Sequence, residues 1–214
     1  MSLLLCAATP FEIRPLTEWI SRENIRGVDV LITGVGLTAA TYSLTKAVLT
    51  QKPRFLLQAG VAGGFDTSMK LGSVVAIRSE IIGDQGVYEQ GRFQSLFDLK
   101  LLQPNDPPWT NGRLYNKPEI LERSALPAVD SVAINEISTN TERIEAWRQE
   151  NIAVESMEGA ALHYVALLEN IPFLQIRSLS NFVGERDKSK WVMADAITRL
   201  NKELKRIVLN LLNT

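Results

Sequence analysis

The sequence predicts an α/β fold of three layers, α/β/α, around a central mixed or mostly parallel sheet. Short apolar runs alternate with longer segments of helical periodicity along the whole chain. Glycine-rich turns fall where those apolar runs end, and residues 152–191 repeat the order strand, helix, strand in full. With 214 residues the chain fits one domain, 1–214, long enough to bury about 70% of its unfolded surface.

Residues 3–8 are continuously apolar, as expected of a strand buried on both faces. Thr9-Pro10 then supplies an N-cap and a first-turn proline, with Phe11, Pro15 and Trp19 at helical spacing. Glu12 therefore falls in the first helical turn, just beyond the carboxyl end of strand one. Open α/β sheets bind ligands at that edge, although a carboxylate there equally complements the helix dipole.

Residues 28–33 predict a second strand, and Gly34-Val35-Gly36 opens a helix over 37–50. As a phosphate site this turn is weak, because it lacks both the third glycine of a dinucleotide fingerprint and a GK[ST] sequence. Residues 55–58 predict strand three, ending in the small-residue run AGVAGGF, a turn whose exposed backbone suits a ligand platform. Residues 71–82 are β-rich. Residues 84–116 lose all periodicity and contain Pro104, Pro107 and Pro108, which predicts a functional loop, a lid over the ligand or a partner contact.

Residues 118–124 predict a short helix, 129–134 a strand and 139–149 a helix with Thr/Asn capping. The stretch 152–191 follows: an apolar run, an acidic turn, a helix over about 157–169, a second apolar run and a polar turn. It leaves Glu158 and Asn181 where the two apolar runs end, on the same edge of a sheet. A final helix over about 189–212 carries Trp191, Ala194, Ile197, Leu200, Leu204, Ile207 and Leu211 at every third or fourth position, the stripe of a covering helix.

Lys plus Arg number 23 against 24 Asp plus Glu, so there is no basic field to attract nucleic acid. No apolar run approaches the ~20 residues that span a bilayer, and MSLLLCAATP lacks the basic start of a secretory leader. The single cysteine, Cys6, lies in an apolar run and is expected to be a buried thiol in a reducing, cytoplasmic setting. With one histidine and one cysteine, a dedicated zinc site is not expected. His163 falls inside a helix and suits packing better than a catalytic triad.

In the segments ATPFE, TGVG, QAGVAGGF, GDQGVYE, VESMEGAA and RSLSNFVG, the chain resembles the nucleoside phosphorylase and nucleosidase superfamily, over nearly its whole length. VESMEGAA is the most specific of these. Within that superfamily SNFVGERDKSKW looks most like the futalosine hydrolase branch; the methylthioadenosine/S-adenosylhomocysteine nucleosidases are similar everywhere except at that motif. The resemblance implies a mixed sheet closing towards a barrel, a small-molecule purine nucleoside substrate, no metal or organic cofactor, and a homodimer. It implies that Glu12 activates the attacking water, that Met157 packs on the ribose, and that Glu158 accepts its hydroxyls. It further implies that Val61, Ala62 and Gly63 form a backbone platform, and that Asn181 contacts the purine, with Ser180 beside it. Ile137 is the stacking candidate.

Cleaving an N-glycosidic bond makes the sugar cationic and the leaving purine anionic, so catalysis needs both charges stabilised and a placed nucleophile. Glu12 and Asn181 are the catalytic candidates. An ionised, acceptor-only Glu158 suits two ribose hydroxyls. The adenine-specific nucleosidases that this chain resembles have aspartate at the position of Asn181. A protonated acid can donate to N7 and accept from a 6-amino group, whereas a 6-oxopurine presents acceptors at both N7 and O6 and suits an NH₂ donor. Asn181 therefore points to hypoxanthine. Phosphorolysis would need arginines aimed at a dianion; Arg14, Arg54, Arg78 and Arg177 are available, but only Arg177 lies in a matching motif, which favours hydrolysis. Alternatives are an adenine nucleosidase, a phosphorylase, a nucleoside-binding sensor and, more remotely, a dinucleotide-binding module.

Overall fold

The structure, a computed structural model, describes residues 2–213. In chain order its elements are β1 (Leu3–Ala7), α1 (Pro10–Arg22), β2 (Val28–Ile32), α2 (Leu37–Gln51), β3 (Phe55–Gly64), β4 (Val74–Ile82), β5 (Gly86–Glu89) and β6 (Arg92–Ser95). There follow β7 (Leu114–Tyr115), α3 (Pro118–Leu121), β8 (Ala128–Ala133), α4 (Thr141–Gln149), β9 (Ile152–Ser156), α5 (Gly159–Leu168), β10 (Phe173–Phe182) and α6 (Met193–Leu212).

The sheet runs β10-β4-β8-β9-β3-β1-β2, and a further β10–β3 pairing closes five of these strands into a ring. Pairing is parallel for β1–β2, β1–β3, β3–β10, β4–β8 and β8–β9, and antiparallel for β4–β10 and β3–β9. The sheet is mixed. Central β1 is buried at every position, which explains its unbroken apolar sequence.

Helices cover both faces. Ile13 and Leu16 of α1 pack with Leu200, Leu204, Ile207 and Leu211 of α6 against Leu3, Leu5, Phe55 and Leu57. On the opposite face Ala40, Leu44 and Val48 of α2 meet Leu162 and Val165 of α5 over Leu4, Cys6 and Leu56. Alternate residues of β1 and β3 thus feed the two cores, as the period of a strand requires. These are the three layers expected.

Three expectations are corrected. The run AGVAGGF is not a turn after strand three: β3 continues to Gly64, because β10 pairs with it as far as Phe182↔Gly64 and β9 pairs at Gly63 and Gly64. Pairing with β10 keeps the small residues extended along the run, and β9 adds a second partner at Gly63 and Gly64. Residues 84–116 are not featureless, since β5 and β6 form a hairpin and β7 joins β4. The last helix begins at Met193, so Trp191 lies outside its apolar stripe, at the end of a short 3₁₀ turn, Lys188–Lys190.

Candidate active site

Ends of β1, β3, β9 and β10 surround a cavity of about 320 Å³. All nine site residues expected from the sequence line it: Glu12, Val61, Ala62, Gly63, Ile137, Met157, Glu158, Ser180 and Asn181. No residue of the segment 84–116 does, so within one chain that segment is not a lid over the cavity. Its aromatic side chains turn elsewhere, with Phe97 edge-on to Trp109 and Trp109 against Tyr164.

Glu12 is 8% exposed and fully engaged. Its Oε2 accepts the Thr9 N–H and hydroxyl, both at 3.0 Å, closing a capping box at the start of α1. Its Oε1 accepts the Val61 N–H at 3.1 Å. The dipole role and the cavity role therefore coexist: one oxygen caps the helix and the other lies over β3.

The helix under Glu12 is held from a distance. Pro15 sits inside α1, where a missing N–H and a bulky ring disturb the ladder. In a regular helix the Leu16 N–H would bond to Glu12 C=O. Here the amide of Asn201, on α6, takes both groups: Leu16 N–H donates to its Oδ1 at 3.0 Å, and its Nδ2 donates to Glu12 O at 2.8 Å. Asn201 is buried, with a further bond to Ile197 O.

Glu158 is the N-cap of α5. Its Oε1 accepts the Gly36 N–H at 2.9 Å, and its Oε2 lies 3.8 Å from Arg177 Nη1. The glycine turn that resembled a phosphate loop thus donates to a carboxylate of the protein. Gly36 has φ +90°, a conformation costly for any side chain.

Arg177 is 1% exposed, and its Nη2 donates to Gln58 Oε1 at 3.1 Å. A β-carbon at Gly60 would collide with the Arg177 guanidinium and lie 2.8 Å from Glu12 Oε1. Glycine at 60 therefore lets Glu12, Arg177 and Glu158 converge on one bare stretch of β3. Of the other arginines considered, Arg78 pairs with Asp130 at 2.6 Å, and neither it nor Arg14 or Arg54 lines the cavity.

Asn181 owes its position to a β-bulge: the β10–β3 register shifts between Leu179 and Asn181, leaving Ser180 as the extra residue. Asn181 Oδ1 accepts the Ser180 hydroxyl at 2.8 Å, and Nδ2 donates to Phe182 O at 3.0 Å. An amide nitrogen carries two hydrogens, so one remains for a ligand. Across the sheet Asn181 pairs with Gly63, and Gly63 with Glu155, which puts a position without a side chain between an amide and a carboxylate.

A buried polar tier lies beneath the cavity. Glu80 accepts from Gln175 Nε2 at 2.8 Å, and burial raises its carboxyl to about 7. His163 is fully buried; its Nδ1 lies 2.9 Å from Leu114 O, its ring is edge-on to Phe173, and burial lowers its pKa to about 4. It is a packing histidine. Burial likewise pushes the Cys6 thiol up to about 12, far from a nucleophile.

Five residues in or beneath the cavity were not among the site residues expected from the sequence. Arg177 had been considered only as a phosphate grip. Glu155, whose Oε1 accepts the Ser138 N–H at 3.2 Å and whose pKa is raised by burial, was legible as the first acid of VESMEGAA. Arg186 and Trp191 line the cavity from the polar turn after β10. Asn201 gave no sequence signal, since its partners are nearly the whole chain away. Among the described residues no group of three or more His, Cys, Asp or Glu could hold a metal ion, and no helix is long and apolar enough to cross a membrane.

A family model described as the phosphorylase superfamily matches residues 6–213. A 5′-methylthioadenosine/S-adenosylhomocysteine nucleosidase of Marinomonas sp. is 30% identical over 78% of this chain and 73% of its own length. A futalosine hydrolase of Thermus thermophilus is 25% identical over 85% of this chain and 81% of its own. Among solved structures, the native futalosine hydrolase of Helicobacter pylori superposes with a TM-score of 0.80 at 16% identity, covering 97% of both chains, which is a likeness of fold.

Proposed function

The chain belongs to the phosphorylase superfamily, and from that premise we propose that it is an N-ribosyl hydrolase releasing hypoxanthine from a 5′-modified inosine-type nucleoside, futalosine foremost. In this reading one domain in a reducing cytoplasm carries the whole activity, with no metal or organic cofactor. Its named relatives divide between futalosine hydrolases and methylthioadenosine/S-adenosylhomocysteine nucleosidases at similar levels of identity. Overall similarity therefore does not choose the base.

Asn181 carries the choice. With one amide hydrogen held by Phe182 O and Oδ1 already accepting the Ser180 hydroxyl, the second hydrogen on Nδ2 is the group that supports a donor role towards a ligand. A 6-oxopurine offers acceptors to it at N7 and O6, whereas a 6-amino group would meet a second donor. Leaving one buried polar group unpaired costs ~1–3 kcal/mol, about tenfold or more in specificity.

Glu12 is the general base in this mechanism. Its Oε1, beside Arg177, takes a proton from water attacking the anomeric carbon. Glu158 accepts the 2′- and 3′-hydroxyls, and its charge, with that of Glu12, opposes the positive charge growing on the sugar. Met157 packs against the ribose, the β3 backbone from Val61 to Gly63 forms the floor, and Ile137 covers the base. Asn181 stabilises the departing purine but does not itself give up a proton, so N7 is protonated from water. Hydrolysis rather than phosphorolysis is supported by Arg177, whose guanidinium is already engaged by Glu158 and Gln58, and by the absence of Arg14, Arg54 and Arg78 from the cavity lining.

The direct test is Asn181→Asp. Hypoxanthine release from 6-oxopurine nucleosides should fall by about tenfold or more, with folding intact by circular dichroism. Unchanged turnover would show that Asn181 does not read the base.

A further inference from the structure

Gly159, the first residue of α5 after its N-cap Glu158, has no room for a side chain. A β-carbon there would overlap Glu80 Oε1 and Gln175 Nε2 together. Those two atoms are hydrogen-bonded at 2.8 Å, and both side chains are fully buried. The segment that presents Glu158 to the cavity therefore rests directly on the Glu80–Gln175 pair. Its other supports are close by: Gln58 Nε2 donates to Glu158 O at 3.3 Å, and the Gly159 N–H donates to Ser156 Oγ at 3.3 Å.

Glu80 is an acid without a counter-charge of its own. Its Oε1 accepts from Gln175, and its Oε2 has no partner among the described residues. The charged groups that act on it are Arg177 from β10 and Glu158 at the head of α5. Its strand partners are Leu114 on β7 and Ser131 on β8, while Arg78 and Asp130, nearby on β4 and β8, pair with each other. Arg177 is the only buried lysine or arginine among the described residues. It already serves Glu158, whose Oε2 is 3.8 Å from Nη1, and it converges with Glu12 on Gly60.

We propose that Glu80 is a positioning residue for Glu158: as a neutral carboxyl it seats Gly159 and leaves Arg177 to the cavity carboxylates, whereas as an anion it draws Arg177 away from them. The proposal rests on the nucleosidase reading of the cavity and adds a pH-dependent support beneath Glu158. A buried carboxylate without a partner is far costlier than the neutral acid, so the neutral form belongs to the active protein. Burial is the main cause that raises the Glu80 carboxyl to about 7; Gln175, Arg177 and Ser131 oppose it, and Glu158 adds to it. Below that value Glu80 is protonated and the support is intact. As the pH rises through it, Glu80 ionises and three carboxylates compete for one guanidinium. His163, lowered to about 4 chiefly by burial, is neutral throughout that range and does not contribute.

The test is the pH profile of kcat/KM for hypoxanthine release from futalosine and inosine, on the wild type, Glu80→Gln, Glu80→Ala and Gln175→Leu. Between about pH 6 and about pH 8.5 the wild type should lose roughly tenfold or more, the effect expected of one charge-assisted contact. Glu80→Ala should lose as much at every pH. Glu80→Gln keeps the acceptor for Gln175 and cannot ionise. It should recover most of what Glu80→Ala loses, and its profile should stay flat above about 7. Gln175→Leu removes a bond that favours the ionised carboxyl and should move the descending limb to higher pH. A wild type without that limb would overturn the proposal, as would a limb that survives Glu80→Gln and so belongs to another group such as Glu155. Should Glu80→Gln not fold, an unmoved limb in Gln175→Leu overturns it instead. Calorimetry with inosine separates the two readings. Affinity that falls over the same pH range in the wild type but not in Glu80→Gln, with no base released, would uphold Glu80 and count against the hydrolase reading.

Discussion

Glu12 has two structural duties that its position in the sequence could not separate. It caps α1 through one oxygen and approaches β3 and Arg177 through the other. Glu12→Gln should separate them. Losing a cap costs ~1 kcal/mol, a shift of a few degrees in melting temperature, whereas losing a general base costs on the order of 10²–10⁴ in kcat. Wild-type turnover in a folded Glu12→Gln protein would remove Glu12 from the chemistry. Glu158 and Asn181 were legible because local spacing places them where the apolar runs of β9 and β10 end, whereas Met157 and Ser180 came only through the resemblance. Arg177 was visible but weighed only as a possible phosphate grip, since nothing in the sequence says that its side chain turns to Glu158.

At the scale of elements, most strands and helices followed from periodicity, and the failures have physical causes. The glycine run of β3 has poor strand propensity, yet pairing with β10, joined by β9 at Gly63 and Gly64, holds it extended, and the absence of side chains makes room for Arg177 and Leu179. The α1–α6 link was invisible because it depends on one amide replacing a helix bond next to Pro15. This link has a functional consequence. Asn201→Leu keeps the volume but leaves Leu16 N–H and Glu12 C=O without their bridging partner. We expect a loss of about 1–3 kcal/mol in denaturant-measured stability, together with a fall in kcat at nearly constant KM, because Glu12 and not the substrate contacts is displaced. An equal loss in kcat and gain in KM, or no kinetic effect, would mean that Asn201 only supports the core.

At the scale of the whole molecule, the layer order and mixed sheet were legible, whereas closure of five strands into a ring depends on the β10–β3 pairing that only the fold reveals. The resemblance also implied a homodimer, which we propose for this chain. Phe11 and Val35 stand at the cavity 56% and 58% exposed, with Val30, Ile32 and Tyr42 also exposed on β2 and α2. Sedimentation equilibrium at micromolar concentration should give twice the mass of the chain, and Tyr42→Glu should shift it towards monomer; a monomer throughout would refute the assembly. The central claim concerns the bond cleaved and the base released. It is tested most directly by incubating the protein with futalosine, inosine, methylthioadenosine and S-adenosylhomocysteine, each with and without phosphate, and identifying the free base. Hypoxanthine, released fastest from futalosine and without need of phosphate, is the predicted result. Adenine released at a comparable rate, or a strict requirement for phosphate, would contradict it.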